Sequence, residues 1–457
     1  MNLRQLYCFL SLLILVSQAS AGGPLAVGGP KFGTDGKPFT WDVAAMPIQY
    51  RVDTGPLAKL FGGAVTIDNT AGLARVQSMF AIWQNVPTTS IQFQYAGPIL
   101  ATGSFRGGDV VTTDDFNSVY GDCKAGTQNP IVFDADGSIV RDLGLPPDII
   151  GFAAPCKLDS ATGHIASGFA LLNGEFQDGV SQGTNYELTS HQFDEAITHE
   201  LGHFAGLDHS QINASVLDTQ LPCSTDGLAG LPLMFPVAYC QARTDAGLPI
   251  LSPDDQAWIS KLYPNGSFAS SYGTISGIVY FSDGKTAAQG VNVIARRIDD
   301  PNTPANESLR IAVSVVSGFL FTGNPGQPIT GDNSDGDRNG SRNPQLVGYF
   351  EIPVPPGTYT VEVESVRPTF QSGSRVGPLD PPIGSPGPPE FWNVSESAFD
   401  LPAGFDTITV VAGQNVANTN FILNGTPARF DQFEDGAVSW LWQTTDPLRM
   451  PRKEVRV

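Results

Sequence analysis

Thr198-His199-Glu200-Leu201-Gly202-His203-Phe204-Ala205-Gly206-Leu207-Asp208-His209-Ser210 is the stretch from which the rest of the chain is read. Its pattern is H-E-x-x-H-x-x-G-x-x-H. On a helix, His199 and His203 stand at i and i+4, so both imidazoles lie on one face and can converge on one metal ion. Glu200 is one residue on, beside that face, where it can act on a water at the metal without being a ligand. Gly206 lets the chain leave the helix through a conformation other residues resist. His209 then returns as a third nitrogen ligand. Three neutral imidazoles with an open fourth position describe a catalytic zinc site rather than a closed structural one. Three of the chain's five histidines fall in this one pattern, with the required Glu and Gly, which argues against a chance pairing on a packed helix.

The helix carries its own start signal. Thr189-Ser190-His191-Gln192 matches a capping box, and Asp194 and Glu195 follow in the first turn, where the helix dipole favours anions. Phe193, Ile197, Leu201 and Phe204 make a core-facing stripe, and His199 and His203 lie off it. One face is thus specified to pack and another is left to hold metal.

Upstream, Ile48, Tyr50 and Val52 alternate as a first strand. Thr70 is the expected cap of a helix over about 71–85, with Leu73, Val76, Phe80 and Trp83 as its stripe and Pro87 ending it. Ile91, Phe93 and Tyr95 alternate again. Strand-like runs follow near Val110–Val111, Ile131–Phe133, Ile149–Phe152 and Ile165–Leu172. Downstream come Leu233-Met234-Phe235-Pro236 and a second helix start, with Ser252 as N-cap, Pro253 first and Asp255 at N3. The order predicts an α/β (α+β) domain over 46–265, with a mixed, twisted sheet and the metal helix.

From Gly273 the texture changes, after a short Ser- and Gly-rich linker at 266–272. Short strand runs and turns follow, with no helical pattern among them: Thr274–Phe281, Val291–Ala295, Ile311–Val316, Gly348–Val354, Thr358–Glu364, Thr407–Val411 and Phe421–Leu423. They predict an all-β sandwich over 273–424. The segments 323–344 and 367–389 interrupt it, and 425–457 remain unassigned.

At 457 residues the chain is too long for one ordinary core. Hydrophobic content of 41% is too high for a disordered chain. A net charge of −20 should repel nucleic acid and anionic membrane surfaces, so neither is an expected partner. Arg4, the apolar run Leu6–Val16 and Ala19-Ser20-Ala21 have the form of a signal peptide over 1–21, followed by an N-terminal segment over 22–45. No later stretch is apolar enough to span a bilayer, and the expected location is secreted, with the periplasm or cell surface as alternatives. Cys123, Cys156, Cys223 and Cys240 then remain. They allow three pairings. Cys123–Cys156 with Cys223–Cys240 closes local loops and is the expected set in an oxidising compartment. None has C-x-x-C spacing.

Two acidic loops have partial calcium-ligand patterns. Asp134-Ala135-Asp136-Gly137 is a D-x-D-G run. Asp335, Asp337 and Asn339 stand at positions 1, 3 and 5 of a loop with Gly340 at 6, but position 12 is Leu346 rather than Glu. A calcium ion and a solvated turn are both compatible with each.

The long zinc pattern with a later Met in a tight turn resembles the metzincin metallopeptidases. Ser210 after the third His, and Met-Phe-Pro at 234–236, resemble the matrixin branch, over about 40–264. The resemblance implies His199, His203 and His209 as zinc ligands, Glu200 as catalytic base and Met234 as the Met-turn residue beneath the metal. It also implies an extended polypeptide substrate added to a sheet edge, here expected at Ser167–Leu172, with Pro236–Tyr239 beside the pocket. There are departures. No Pro-Arg-Cys-Gly-type latency segment precedes the domain, and His164 and His191 lack the spacing of a structural zinc site. The interval from His209 to Met234 is long and holds Cys223. Residues 273–424 resemble carboxypeptidase-regulatory-like, prealbumin-type sandwiches in texture, which implies a module that binds a surface or the substrate. The expected function is a secreted zinc endopeptidase. The rival reading is a secreted adhesion protein whose zinc domain is structural.

Overall fold

In the computed structural model, residues 22–159, 161–181, 187–210, 212, 225–236, 241–288, 290–298, 310–321, 340–341, 343–365, 390–424, 429–432 and 438–441 are described. The signal-like segment 1–21, Cys223, Cys240, Tyr239, the acidic loop of Asp335, Asp337 and Asn339, and the segment 367–389 lie outside these residues. The chain divides into two units. One is Phe39–Asp208 with Ser215–Phe268; the other is Met1–Pro38, His209–Ala214 and Ala269–Val457.

The first unit mixes helices with one five-stranded sheet. Its strands are β1 (Ile48–Val52), β2 (Phe93–Pro98), β3 (Pro130–Asp134), β4 (Gly151–Leu158) and β5 (Ile165–Asn173), in the order β2-β1-β3-β5-β4. The first four in that order are parallel neighbours, and β4 closes the series antiparallel to β5. Every residue of β3 and nearly every one of β5 is buried, as parallel strands covered on both faces require. β4 is half-buried and contains Pro155, which an end strand tolerates. Ser167–Leu172 is therefore interior, between β3 and β4, and the sheet edge beside it is Gly151–Leu158. The expected substrate edge is corrected accordingly. The apolar run at 165–172 marks a strand, but its very continuity marks one buried on both sides.

Helix α1 (Asn69–Gln84) buries Val76, Met79, Phe80 and Trp83. Its cap is Asp68, whose Oδ1 accepts the Ala71 N–H at 2.9 Å, not Thr70. Helix α2 (Thr113–Ala125) occupies a region where only a strand at Val110–Val111 was expected, and no strand forms there. The signals for α2 were present: Thr112 caps it, Asp114 and Asp115 open it, Phe116, Val119, Tyr120 and Cys123 are its buried stripe, and Gly126 ends it at φ 83°. A disulfide joins Cys123 of α2 to Cys156 of β4. The short α3 (Ser138–Asp142) follows β3, then α4 (Ser190–Phe204), α5 (Thr225–Gly230) and α6 (Pro253–Leu262).

The second unit is all-β in its main body. One sheet has β6 (Gly273–Tyr280) at its centre. The other has β7 (Val291–Arg297) and β8 (Ala312–Val316). Strand β9 (Tyr349–Val354) pairs with β6, whereas β10 (Gly357–Ser365) pairs with β7. Pro355-Pro356-Gly357 thus carries the chain from one sheet to the other instead of closing a hairpin. β11 (Glu390–Phe391) and β12 (Ile408–Val410) extend the β10 sheet, and β13 (Asn415–Val416) and β14 (Phe421–Ile422) pair in parallel with β6. Ile275, Val279, Val293, Val315, Phe350, Ile352, Val361 and Phe421 are all fully or almost fully buried between these strands. Beyond them, Arg429–Gln432 pairs antiparallel with Val438–Leu441.

Candidate metal centre

Helix α4 begins at the Thr189 capping box. Thr189 Oγ1 accepts the Gln192 N–H at 3.2 Å, and Gln192 Oε1 accepts the Thr189 N–H at 2.9 Å. Phe193, Ile197, Leu201 and Phe204 are each at most 1% exposed, so the helix is held by that stripe. Side chains bind its buried carbonyls, one inside the helix and two at its end, where carbonyls lack helical partners. Trp83 Nε1 donates to Thr198 O at 2.8 Å, Trp41 Nε1 to Phe204 O at 2.9 Å, and the Tyr263 hydroxyl to Ala205 O.

Gly206 leaves the helix at φ 93°, where a side chain would be strained. That turn brings Leu207 O to His203 Nδ1 at 2.8 Å. On the other side, His199 Nδ1 meets Leu233 O at 2.8 Å. A carbonyl only accepts, so both Nδ1 atoms carry hydrogen and both Nε2 atoms carry the lone pair. The ligand atoms of His199, His203 and His209 lie within 4.8 Å of one another, a cluster able to hold a metal ion. Burial pushes His199 below the usual imidazole range. Burial, helped by His199, pushes His203 down to about 3. Both rings are therefore neutral, the form that binds metal.

Glu200 lies beside the cluster, against the terminal strand β4. The Ala153 N–H donates to its carboxylate, and a Cβ built on Gly151 would come within 3.0 Å of its Cγ. Its Oε2 is buried without a hydrogen-bond partner. Burial pushes the carboxyl up to about 8 against the one Ala153 bond. A divalent cation beside it acts in the opposite sense. An orphaned carboxylate oxygen next to three clustered imidazoles, with His199 and His203 neutral, fits a divalent cation and its water; it has no satisfied role in packing alone.

Met234 is 2% exposed and lies against the helix. A Cβ on Gly202 would meet Met234 Sδ at 2.5 Å and Trp83 Cζ2 at 2.8 Å, so only glycine admits this contact. One residue missed from sequence stands behind the turn. Asp255 is the N3 acid of α6, accepting the Ser252 N–H at 2.7 Å. It also accepts the N–H groups of Leu233 at 2.8 Å and Met234 at 3.0 Å. Asp255 thus holds Leu233, whose carbonyl holds His199. The capping box was legible, but the second use of its carboxylate depends on a fold-level approach between α6 and the turn.

The other expected sites separate from this one. His191 pairs with Asp245 at the exposed start of α4, and His164 Nδ1 meets Thr40 O at 3.1 Å. Asp134 accepts the Ile139 and Val140 N–H groups at 3.1 and 2.8 Å, and Asp136 pairs with Lys59 at 3.4 Å. Those two carboxylates open α3 and bind a lysine, a structural use of the D-x-D-G run. No protein-family model matches the chain, and no curated protein matches it either.

Proposed function

We propose that this chain is a zinc-dependent endopeptidase, similar to the matrixin branch of the metzincins and exported after removal of residues 1–21. The observation that carries the proposal is the pairing of three clustered imidazoles, those of His199 and His203 fixed in tautomer, with a buried carboxylate oxygen that no hydrogen bond satisfies. His199, His203 and His209 would hold the metal. When bound, zinc supplies Lewis acidity toward water and the scissile carbonyl.

The protein's own groups do the rest. Glu200 accepts the proton of the attacking water at Oε2 and delivers it to the departing amine. The Ala153 N–H and the missing side chain at Gly151 keep that carboxylate in place at the edge of the sheet. A substrate in extended conformation adds to β4, whose position at the end of the sheet offers main-chain pairing. Met234 and Gly202 form a tight apolar floor, which limits the motion of the helix that carries the base.

Digestion of a proteome-derived peptide library, read by mass spectrometry, tests the proposal. New termini are expected with the zinc-loaded protein, none after chelation, and recovery on adding zinc. Intact peptides throughout would contradict it.

A further inference from the structure

A second cluster of metal-ligating groups lies in the β-sandwich, in residues that the peptidase reading does not use. Glu390 begins β11 and is 1% exposed. Glu396 and Asp400 follow in the next loop. A carboxylate oxygen from each lies within 4.8 Å of the others. Two oxygens on opposite sides of a calcium ion are about 4.6–5.2 Å apart, so this spread suits a common centre. The charges acting on Glu390 are those of Glu396 and Asp400, and the charge acting on Glu396 is that of Asp400. Burial first, then this mutual repulsion, pushes Glu390 up to about 8 and Glu396 up to about 7.

The loop is shaped to hold these acids together. Glu396 accepts the N–H groups of Asn393 and Ile422, both at 2.8 Å. Asp400 accepts Asn393 Nδ2 at 2.8 Å and the Ser397 N–H at 2.7 Å. An independent feature points to an ion. Asn424, just past β14, is 5% exposed and sits among the same acids. Its N–H donates to Glu390 Oε2 at 3.3 Å, and its Nδ2 donates to Asp400 O at 2.9 Å. The other end of that amide, Oδ1, is buried with no hydrogen-bond partner. A proton shared by the acids would answer it, and so would a cation. A cation satisfies it and the three acids at once.

We propose that Glu390, Glu396, Asp400 and the amide oxygen of Asn424 form a calcium site in the β-sandwich. The donors are all oxygen, which selects a hard cation over zinc. The ion ties β11 and its loop to the residue after β14, two parts of the chain that otherwise meet through few main-chain bonds. This site shares no residue with the acidic loop at Asp335, Asp337 and Asn339.

Calcium titrated calorimetrically into the zinc-loaded full chain tests the proposal. Wild type is expected to bind calcium and to melt at a higher temperature with it. Glu390→Gln/Glu396→Gln should bind at this site at least tenfold more weakly and lose the calcium-dependent shift. Asp335→Asn/Asp337→Asn should keep both. Asn424→Asp, which adds a carboxylate, should bind more tightly and melt lower in calcium-depleted buffer. Absence of calcium binding in wild type would overturn the proposal without recourse to any variant, and would assign a shared proton to the cluster. Undiminished affinity and shift in the folded Gln variant would overturn it as well.

Discussion

Asp255 shows how much one carboxylate can carry. It caps α6 and fixes Leu233 and Met234, and Leu233 O in turn orients His199. Groups that orient a metal-binding imidazole typically change metal affinity 10–100-fold when removed. Asp255→Ala is therefore expected to weaken zinc binding by about that factor, measured by competition with a chromophoric chelator; unchanged affinity would remove Asp255 from the site. Asp53 makes a different prediction. It is 2% exposed, and burial, with Asp109 contributing, pushes its carboxyl up to about 7 although the Gly55, Val110 and Phe133 N–H groups oppose this. Its folded pKa exceeds its unfolded one, so the folded state holds a proton between about pH 4 and 7. Stability from this group is present below that window and is lost as pH rises through it. Between pH 4.5 and 7 the loss is at most about 3 kcal/mol. Asp53→Asn should flatten the pH dependence of urea unfolding by a comparable amount, whatever its effect on absolute stability. Equal slopes in both proteins would show that Asp53 ionises alike folded and unfolded. At this scale the sequence was legible where spacing is mechanical, as at His199, Glu200 and Gly206. It was silent where the arrangement depends on a distant approach, as at Asp255 and Ala153.

Elements with an unmistakable period were readable in advance. β1 runs over Ile48–Val52 as the alternation predicts, and the capping boxes of α4 and α6 form at Thr189 and Ser252. α2 was missed because Val110 and Val111 suggested a strand just before it. Val110 is instead buried in an irregular stretch, its N–H spent on Asp53. Strand order was beyond reach, since β4 and β5 are both apolar and only pairing shows which lies at the end. α2 is tied to that end strand by Cys123–Cys156, at a sequence separation of 33. Cross-links closing loops of this size stabilise by about 2–4 kcal/mol. Cys123→Ser/Cys156→Ser should lower stability by about that amount and lower the melting temperature of the unit that contains the helix. A shift indistinguishable from zero would mean that the sheet end is held without the bridge.

On the scale of the whole molecule, a helix-and-sheet unit and a β-rich unit share one acidic chain of net charge −20. The change of texture near Gly273 was visible because helical periodicity stops there. Which sheet each later strand joins was not visible, because adjacent strands such as β9 and β10 part at Pro355-Pro356-Gly357 into different sheets. Among the described residues no helix is long and apolar enough to cross a membrane. The second unit contributes a proposed calcium site, while the reaction proposed for the molecule rests on α4, β4 and the turn at Met234. The most direct measurement compares zinc content and peptide cleavage in wild type and Glu200→Gln. The account predicts one zinc per chain in both and a loss of cleavage by about 10²–10⁴ in the variant. Equal cleavage by the two zinc-loaded proteins, or none by wild type, would contradict it.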